Sequence, residues 1–281
     1  MIEAIYDRIS VRTYEKTKLD EEAIGQISEI IQRNQDKIGP FGHRITYFMD
    51  YIRDDFDDES KKIGTYGFIK NAPGFIGGTI ENTLEGIVDF GYLFEFIILE
   101  LTRSGFGTCW LGGTFHRQAF ARYTKEGIII PAITPIGYPE DKKSLSERAI
   151  RFAIKADRRK HFSEMFFDED IEHPMKDDAK ENHPLGLILE LIQLCPSASN
   201  KQPWRFIVSN QVMHVYLERT PNYAMSVPFV MQALDIGIAL AHAEISFQHE
   251  GYTIDMIMTE HPSVPGWDYM ISIRYTKLKN G

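Results

Sequence analysis

Two stretches of this chain are copies of one another, and that limits its architecture before any helix or strand is assigned. Gly25–Phe48 lies over Gly186–Ser209 at an offset of 161 without a gap: Gly25 meets Gly186, Ile27 meets Ile188, Glu29 meets Glu190, and Ile31-Gln32 meets Ile192-Gln193. Arg44 falls on Arg205, at the head of two strand-like runs, RITYF and RFIVS. Further on, Asp89-x-Gly91 and Gly105 match Asp235-x-Gly237 and Gly251 at an offset of 146, and the segment ending ITPIGY at Tyr138 matches MISIRY ending at Tyr275 at 137. The order is kept and the offset only shrinks, as deletions in the second copy would produce. Two amphipathic helices share apolar positions by chance, but identical Gly, Gln and Arg at fixed offsets point to duplication. Symmetric dimers are the commonest oligomers, and a fused duplication can encode one in a single chain.

Each copy is predicted as helix, strand, central helix, strand. Asp20 is a plausible N-cap for a helix running to about Gln35, with Glu21 and Glu22 favoured in its first turn. The second copy repeats this over Pro184–Leu194, and Pro196 stops it. Residues 83–104 are apolar nearly all round, the mark of a buried helix. Their counterpart, 229–249, carries Ala233, Gly237, Ala239, Ala241 and Ala243, small side chains that allow close backbone approach. The expectation is an internally duplicated α+β fold with mixed sheets, its central helices packed across a pseudo-twofold axis. The first half spans 1–167, the polar segment 168–183 is the linker, and the second half spans 184–281; the chain acts as a monomeric pseudo-dimer.

The 281 residues carry 40 Asp and Glu against 31 Lys and Arg, a net charge of −9. Without basic blocks such a surface suits neither nucleic acid nor anionic membrane. The two cysteines, Cys109 and Cys195, cannot build a disulfide framework and fit a reducing compartment. No apolar run reaches the roughly 20 residues a membrane span needs. Glu3 and Asp7 stand where a signal peptide would be basic, so the expected location is cytoplasmic. The nine His show no zinc-ligand spacing, and no paired nucleophile and base is evident. No catalytic side chain or metal ligand is assigned.

Three segments carry chemistry. In Arg8-Ile9-Ser10-Val11-Arg12, an extended backbone would point two guanidiniums and a hydroxyl one way, a cradle for an anion such as phosphate. Read alone, the same residues also suit a solvated surface. The segment Pro196-Ser197-Ala198-Ser199-Asn200-Lys201-Gln202-Pro203-Trp204 puts small polar residues at a helix exit, where backbone can approach a planar ligand and Ser and Asn supply donors and acceptors. Gly105-Phe106-Gly107-Thr108-Cys109-Trp110-Leu111-Gly112-Gly113 follows the central helix. Gly105 suits a helix C-cap, while amides at Gly112 and Gly113 could face a ligand. There is no G-x-G-x-x-G between a strand and a helix, so no dinucleotide-binding fingerprint.

Together these segments resemble the FMN-dependent nitroreductase superfamily. RISVRTY looks like its Arg-x-Ser-x-Arg-x-[Phe/Tyr] motif, CPSASNKQPWRFIV like its Pro-Ser-Ala-x-Asn-x-Gln-Pro-Trp motif, and GFGTCWLGG like the glycine segment after its core helix. IGYPED followed by Arg159-Lys160-x-Phe162 resembles its closing pattern. In an ordinary member both main motifs lie in one short copy, and two flavin sites form at the dimer interface. Here they are divided. The first copy has Arg8, Ser10, Arg12, Gly112-Gly113 and Arg159-Lys160, but its aligned loop reads Gln35-Asp36-Lys37-Ile38-Gly39. The second copy has the intact loop but no counterpart of Gly112-Gly113 or of Arg-Lys-x-Phe. All complete parts fall to one composite site, so the resemblance implies one FMN per chain between the halves.

By that resemblance, Arg8, Ser10, Arg12, Arg159 and Lys160 hold the phosphate and ribityl chain, with Arg158 an alternative to Arg159. Pro196, Ser197, Ala198, Ser199 and Asn200 line one side of the flavin, and Leu111, Gly112 and Gly113 reach the ring edge with backbone amides. Tyr66 and the 50–65 region could shape a substrate cover. The implied activity passes a hydride from NAD(P)H, a transient reductant, through FMN to a small electron-poor acceptor such as a nitroaromatic or quinone. Two other readings stay open: a flavoenzyme of other chemistry, and a flavin-binding or sensing protein without turnover.

Overall fold

The computed structural model describes residues 1–51, 65, 68–140 and 158–278. In chain order its elements are α1 (Ile2–Asp7), α2 (Glu21–Asn34), β1 (Thr46–Tyr51), β2 (Gly74–Glu81), α3 (Leu84–Arg103), β3 (Gly107–Thr108), β4 (Ile128–Ile129), β5 (Ile133–Gly137), α4 (Phe162–Met165), β6 (Phe166–Asp168), α5 (Ala179–Asn182), α6 (Gly186–Gln193), β7 (Trp204–Ser209), β8 (Val212–Glu218), α7 (Gln232–His249), β9 (Tyr252–Ile257) and β10 (Trp267–Lys277). Short 3-10 turns occupy Arg117–Tyr123 and Ala198–Asn200.

Local chemistry accounts for the helix ends. The Asp20 carboxylate accepts the Ala23 amide at 2.8 Å, satisfying one of the unbonded N–H groups that open α2. Ala23, Ile27 and Ile30 form the buried stripe of that helix. Thr83 caps α3 through Gly86 N at 2.9 Å. At its far end Gly105, at φ +82°, lets the chain turn back so that Phe106 N reaches Leu101 O.

The two central helices, α3 and α7, are buried over most of their length and pack directly on one another. A Cβ on Gly91 would come within 2.2 Å of the Leu234 carbonyl oxygen, and one on Gly237 within 2.0 Å of the Val88 carbonyl oxygen. The offset of 146 carries Gly91 to Gly237 and Val88 to Leu234, so the contact is reciprocal. That is the geometry of a twofold interface, made here within one chain.

Each half flanks this pair with a sheet. The first runs β1-β2-β5-β3 with β4 also on β2, all antiparallel, and the N-terminal segment adds parallel bridges from Ser10 to Thr108 and Thr13 to Lys70. The second runs β6-β7-β8-β10-β9, antiparallel except for β6 with β7. One hydrophobic cluster spans the molecule, from Leu19 and Ile27 through Phe94 and Ile98 to Phe206, Leu240 and Ile273. Among the described residues no helix is long and apolar enough to cross a membrane.

Two features differ from expectation. Where one strand was expected before each central helix, the structure has an antiparallel hairpin. In β2 every residue but Glu81 is buried, so the alternation that announces a half-exposed strand is missing. In the second half Asn210 and Gln211, at φ 49° and 62°, join β7 to β8 as the two left-handed residues of a tight hairpin turn. Second, the expected boundaries at 167 and 183 do not coincide with the layers. The strand β6 pairs with β7, so the end of the first copy crosses to complete the second sheet. The polar segment beyond it is not a bare tether: Asp177 accepts the Phe162 amide at 2.9 Å, and Met175 is buried.

Candidate functional site

After α1 the chain turns extended at Arg8, and Val11 N donates to Thr108 O at 2.8 Å. Side chains then alternate, and Arg8, Ser10 and Arg12 all reach one cleft between the halves. Arg8 and Arg12 are 9% and 8% exposed. Among the described residues, Nε of Arg8 and Nη1 of Arg12 have no hydrogen-bond partner. A buried guanidinium N–H without an acceptor is costly, and an anion in the cleft would remove that cost.

The opposite wall is the loop after α6. Pro196 to Asn200 line it, and Ser199, Asn200 and Gln202 take left-handed φ values of 49°, 54° and 49°. Such conformations persist where hydrogen bonds over-determine them. Here Gln202 N donates to Ser197 Oγ at 2.9 Å, and Asn200 Nδ2 donates to Arg158 O at 2.7 Å. The Gln202 side chain accepts the Lys160 amide at 2.8 Å, while Tyr223 OH donates to Ser199 Oγ at 3.0 Å. Arg159 lies across the cleft, with Nη1 on Asn200 Oδ1 at 2.9 Å and Nη2 on Leu194 O at 3.1 Å.

The floor comes from α7, as Met231, Leu234, Asp235 and Ile238, and the remaining wall from Trp110 and Gly112. Trp110 is held edge-on to Phe94 and donates Nε1–H to Glu95 Oε2 at 2.8 Å. The other Glu95 oxygen meets His242 Nε2 at 3.0 Å, and His242 Nδ1 faces the Leu191 carbonyl at 2.9 Å. A carbonyl only accepts, so Nδ1 carries a proton. This chain, with Glu95 and His242 fully buried, ties the cleft wall to both central helices. Asp235 is 2% exposed; Oδ1 accepts the Ala198 amide at 2.9 Å, and burial pushes its carboxyl up to about 8.

Ten of the thirteen residues named from sequence line this cleft: Arg8, Ser10, Arg12, Gly112, Arg159 and Pro196 to Asn200. Three do not. Leu111 is a correction, because its amide already donates to Ile133 O at 2.9 Å and its side chain is buried. Gly113 is exposed and outside the lining, though a Cβ on it would lie 3.2 Å from Met231 Cε. Lys160 lies off the lining, its pKa lowered by burial and by Arg205. Between the two candidate arginines, Arg159 rather than Arg158 lines the cleft. Tyr66 and residues 52–64 lie outside the described residues. Sequence reasoning missed Trp110, Met231, Leu234, Asp235 and Ile238. The repeat had flagged Asp235, but helical periodicity reads its neighbours as ordinary core. The cleft measures about 140 Å³, narrower than a hollow of about 580 Å³ over β1 and β2. That wider hollow gathers none of the thirteen candidate site residues.

A duplicated α+β chain whose halves meet on reciprocal central helices, with a cationic cleft at the seam, has the nitroreductase fold. The chain belongs to the family described as "Putative TM nitroreductase", whose model matches residues 1–247. Among solved structures it is similar to a putative nitroreductase from Thermotoga maritima MSB8, with 21% identity, a TM-score of 0.60, and coverage of 97% of this chain and 92% of that one. An FMN-dependent nitroreductase from Clostridium difficile R20291 is 17% identical with a TM-score of 0.39, covering 51% of this chain and 90% of its own. An oxidised iodotyrosine deiodinase bound to FMN and 3-iodo-L-tyrosine is 14% identical with a TM-score of 0.40, over 51% and 92%. No curated protein matches the chain.

Proposed function

We propose that the cleft binds one FMN per chain and that the protein is an FMN-dependent oxidoreductase reducing a small electron-poor acceptor, such as a nitroaromatic or quinone, with NAD(P)H. The observation that carries this is the pair of buried guanidiniums lining the cleft, Arg8 and Arg12, each with a nitrogen that has no partner among the described residues. A phosphomonoester brings roughly 1.5–2 negative charges and three acceptor oxygens, the complement of those donors. When bound, FMN supplies hydride chemistry between a reduced nicotinamide and the acceptor. The chain's own part is to bind and to shield. Arg8, Ser10 and Arg12 would hold the anionic tail, with Arg159, anchored on Asn200, adding its charge to the same cleft. The left-handed loop at Ser199 and Asn200 lets backbone approach the ring closely, while Trp110 and Met231 keep water from it.

Titrating the purified protein with FMN tests this, followed by anaerobic addition of NADH or NADPH. The expected results are saturation at one FMN per chain and bleaching of the flavin absorbance, reversed by a nitroaromatic or quinone. Flavin that binds but is not bleached by either nicotinamide would leave a binding or sensing protein. Absence of flavin binding would refute the reading.

A further inference from the structure

The repeat supplies an internal comparison at the cleft floor. Asp89 and Asp235 are twins at the offset of 146, both buried and each at the same place on its central helix. Asp89 spends both oxygens on its own loop: Oδ1 accepts Phe41 N at 2.9 Å, and Oδ2 accepts His43 N at 2.9 Å with His43 Nδ1 at 2.8 Å. Asp235 spends only one. Its Oδ1 accepts Ala198 N, and among the described residues its buried Oδ2 has no partner. Asp89 is a loop clamp, whereas Asp235 is half a clamp with one oxygen left over, and it lines the cleft where its twin's surroundings carry no flavin motif. A buried, unpartnered carboxyl oxygen costs stability, so its persistence beside a binding cleft calls for a ligand to complete it.

We propose that Oδ2 of Asp235 makes a direct hydrogen bond to the flavin held in the cleft, so that FMN binding is coupled to a proton on this carboxyl. The inference rests on the flavin reading above. Burial raises the carboxyl to about 8, with the Ala198 hydrogen bond opposing the shift. Near neutral pH the group is therefore an acid with an O–H to donate. Once ionised it accepts only, and its charge opposes a ligand that is itself an anion. Other groups face the same space. Arg8 and Arg12 come from the N-terminal segment and Arg159 from the crossing segment. Burial raises Tyr223 and Cys195, and Asp235 adds to both shifts. Burial lowers Lys160, and Arg205 adds to that shift.

Asp235→Asn separates these contributions. The Asn carbonyl can still accept Ala198 N, and its amide presents a permanent donor where Oδ2 stood. The FMN dissociation constant of wild type and variant is measured by fluorescence from pH 7 to pH 9. In wild type it should rise about tenfold beyond any change in the variant, because the competent acid form becomes a minority above its pKa. Contributions of Lys160 and the ligand are common to both proteins and cancel, and those of Tyr223 and Cys195 differ only by the Asp235 share of shifts whose largest cause is burial. Parallel curves would overturn the inference while leaving the flavin reading intact, whereas no FMN binding by either protein would sink both. A second measurement needs no variant. In infrared difference spectra of wild type at pH 7, adding FMN should shift the stretch of a protonated carboxyl, and an unmoved band would overturn the hydrogen bond even if Asp235→Asn fails to fold.

Discussion

Arg8 and Arg12 are almost wholly withdrawn from water, yet each keeps a nitrogen without a partner among the described residues. Charge-assisted hydrogen bonds contribute about 1.5–3 kcal/mol each. Arg8→Ala and Arg12→Ala should therefore each weaken FMN binding roughly ten- to hundredfold. The double variant should purify without flavin while circular dichroism stays native. Normal flavin content in it would remove both residues from the phosphate site. Asp235 gives a stability prediction of its own. Its carboxyl keeps a proton up to about 8 in the folded chain, against 3.8 ordinarily. Between those values the folded state binds a proton that the unfolded state has released, so stability falls as pH rises through that window and levels off above it. The melting temperature of flavin-free Asp235→Asn should accordingly drop less than wild type between about pH 5 and about pH 8.

At the scale of elements, the crossing of α3 and α7 leaves no room for a methyl group on either glycine. Alanine at Gly91 or Gly237 must push a carbonyl of the partner helix aside. Overpacking of this kind costs about 1–3 kcal/mol, more than the helix propensity gained. Gly25 on α2 is the contrast, because a Cβ there meets nothing within 4 Å. Gly25→Ala should raise the melting temperature, by up to about 1 kcal/mol of stability, while Gly91→Ala and Gly237→Ala lower it. Thermal unfolding of the three variants checks the reciprocal packing directly. The hairpins show why elements were only partly legible. Asp20, Gly105 and Pro196 announce helix ends through local chemistry, and those ends fall where expected. The strand β2 has no alternation because both its faces are buried, Ile76 and Ile80 in the main cluster and Phe75 in a second one with Phe115 and Phe120, so only its partners β1 and β5 identify it.

For the whole molecule, one hydrophobic cluster joins the two halves. Calorimetry should therefore show a single unfolding transition, and two well-separated transitions would contradict the shared core. The asymmetry between the two hollows lies in their lining. Asp89 is saturated by the Phe41–His43 loop, and the twin hollow, about 590 Å³, is lined by Tyr92, Glu244 and Asp255, with no arginine among the described residues. FMN should therefore titrate to one equivalent per chain, and a stoichiometry of two would refute the division of labour between the halves.

The amino-acid order alone determined the duplication, the capped helices, the pairing of the central helices, and ten of the residues that line the cleft. The first three are written in spacing or local hydrogen-bonding chemistry and the cleft residues in motifs that resemble a known family's, and both survive without the fold. Only the tertiary structure decided that Leu111 spends its amide on a neighbouring strand, that the end of the first copy completes the second sheet, and that Asp235 keeps an oxygen in reserve. Those depend on which donors lie within about 3 Å in space, and two aspartates with the same sequence neighbourhood can answer that question differently.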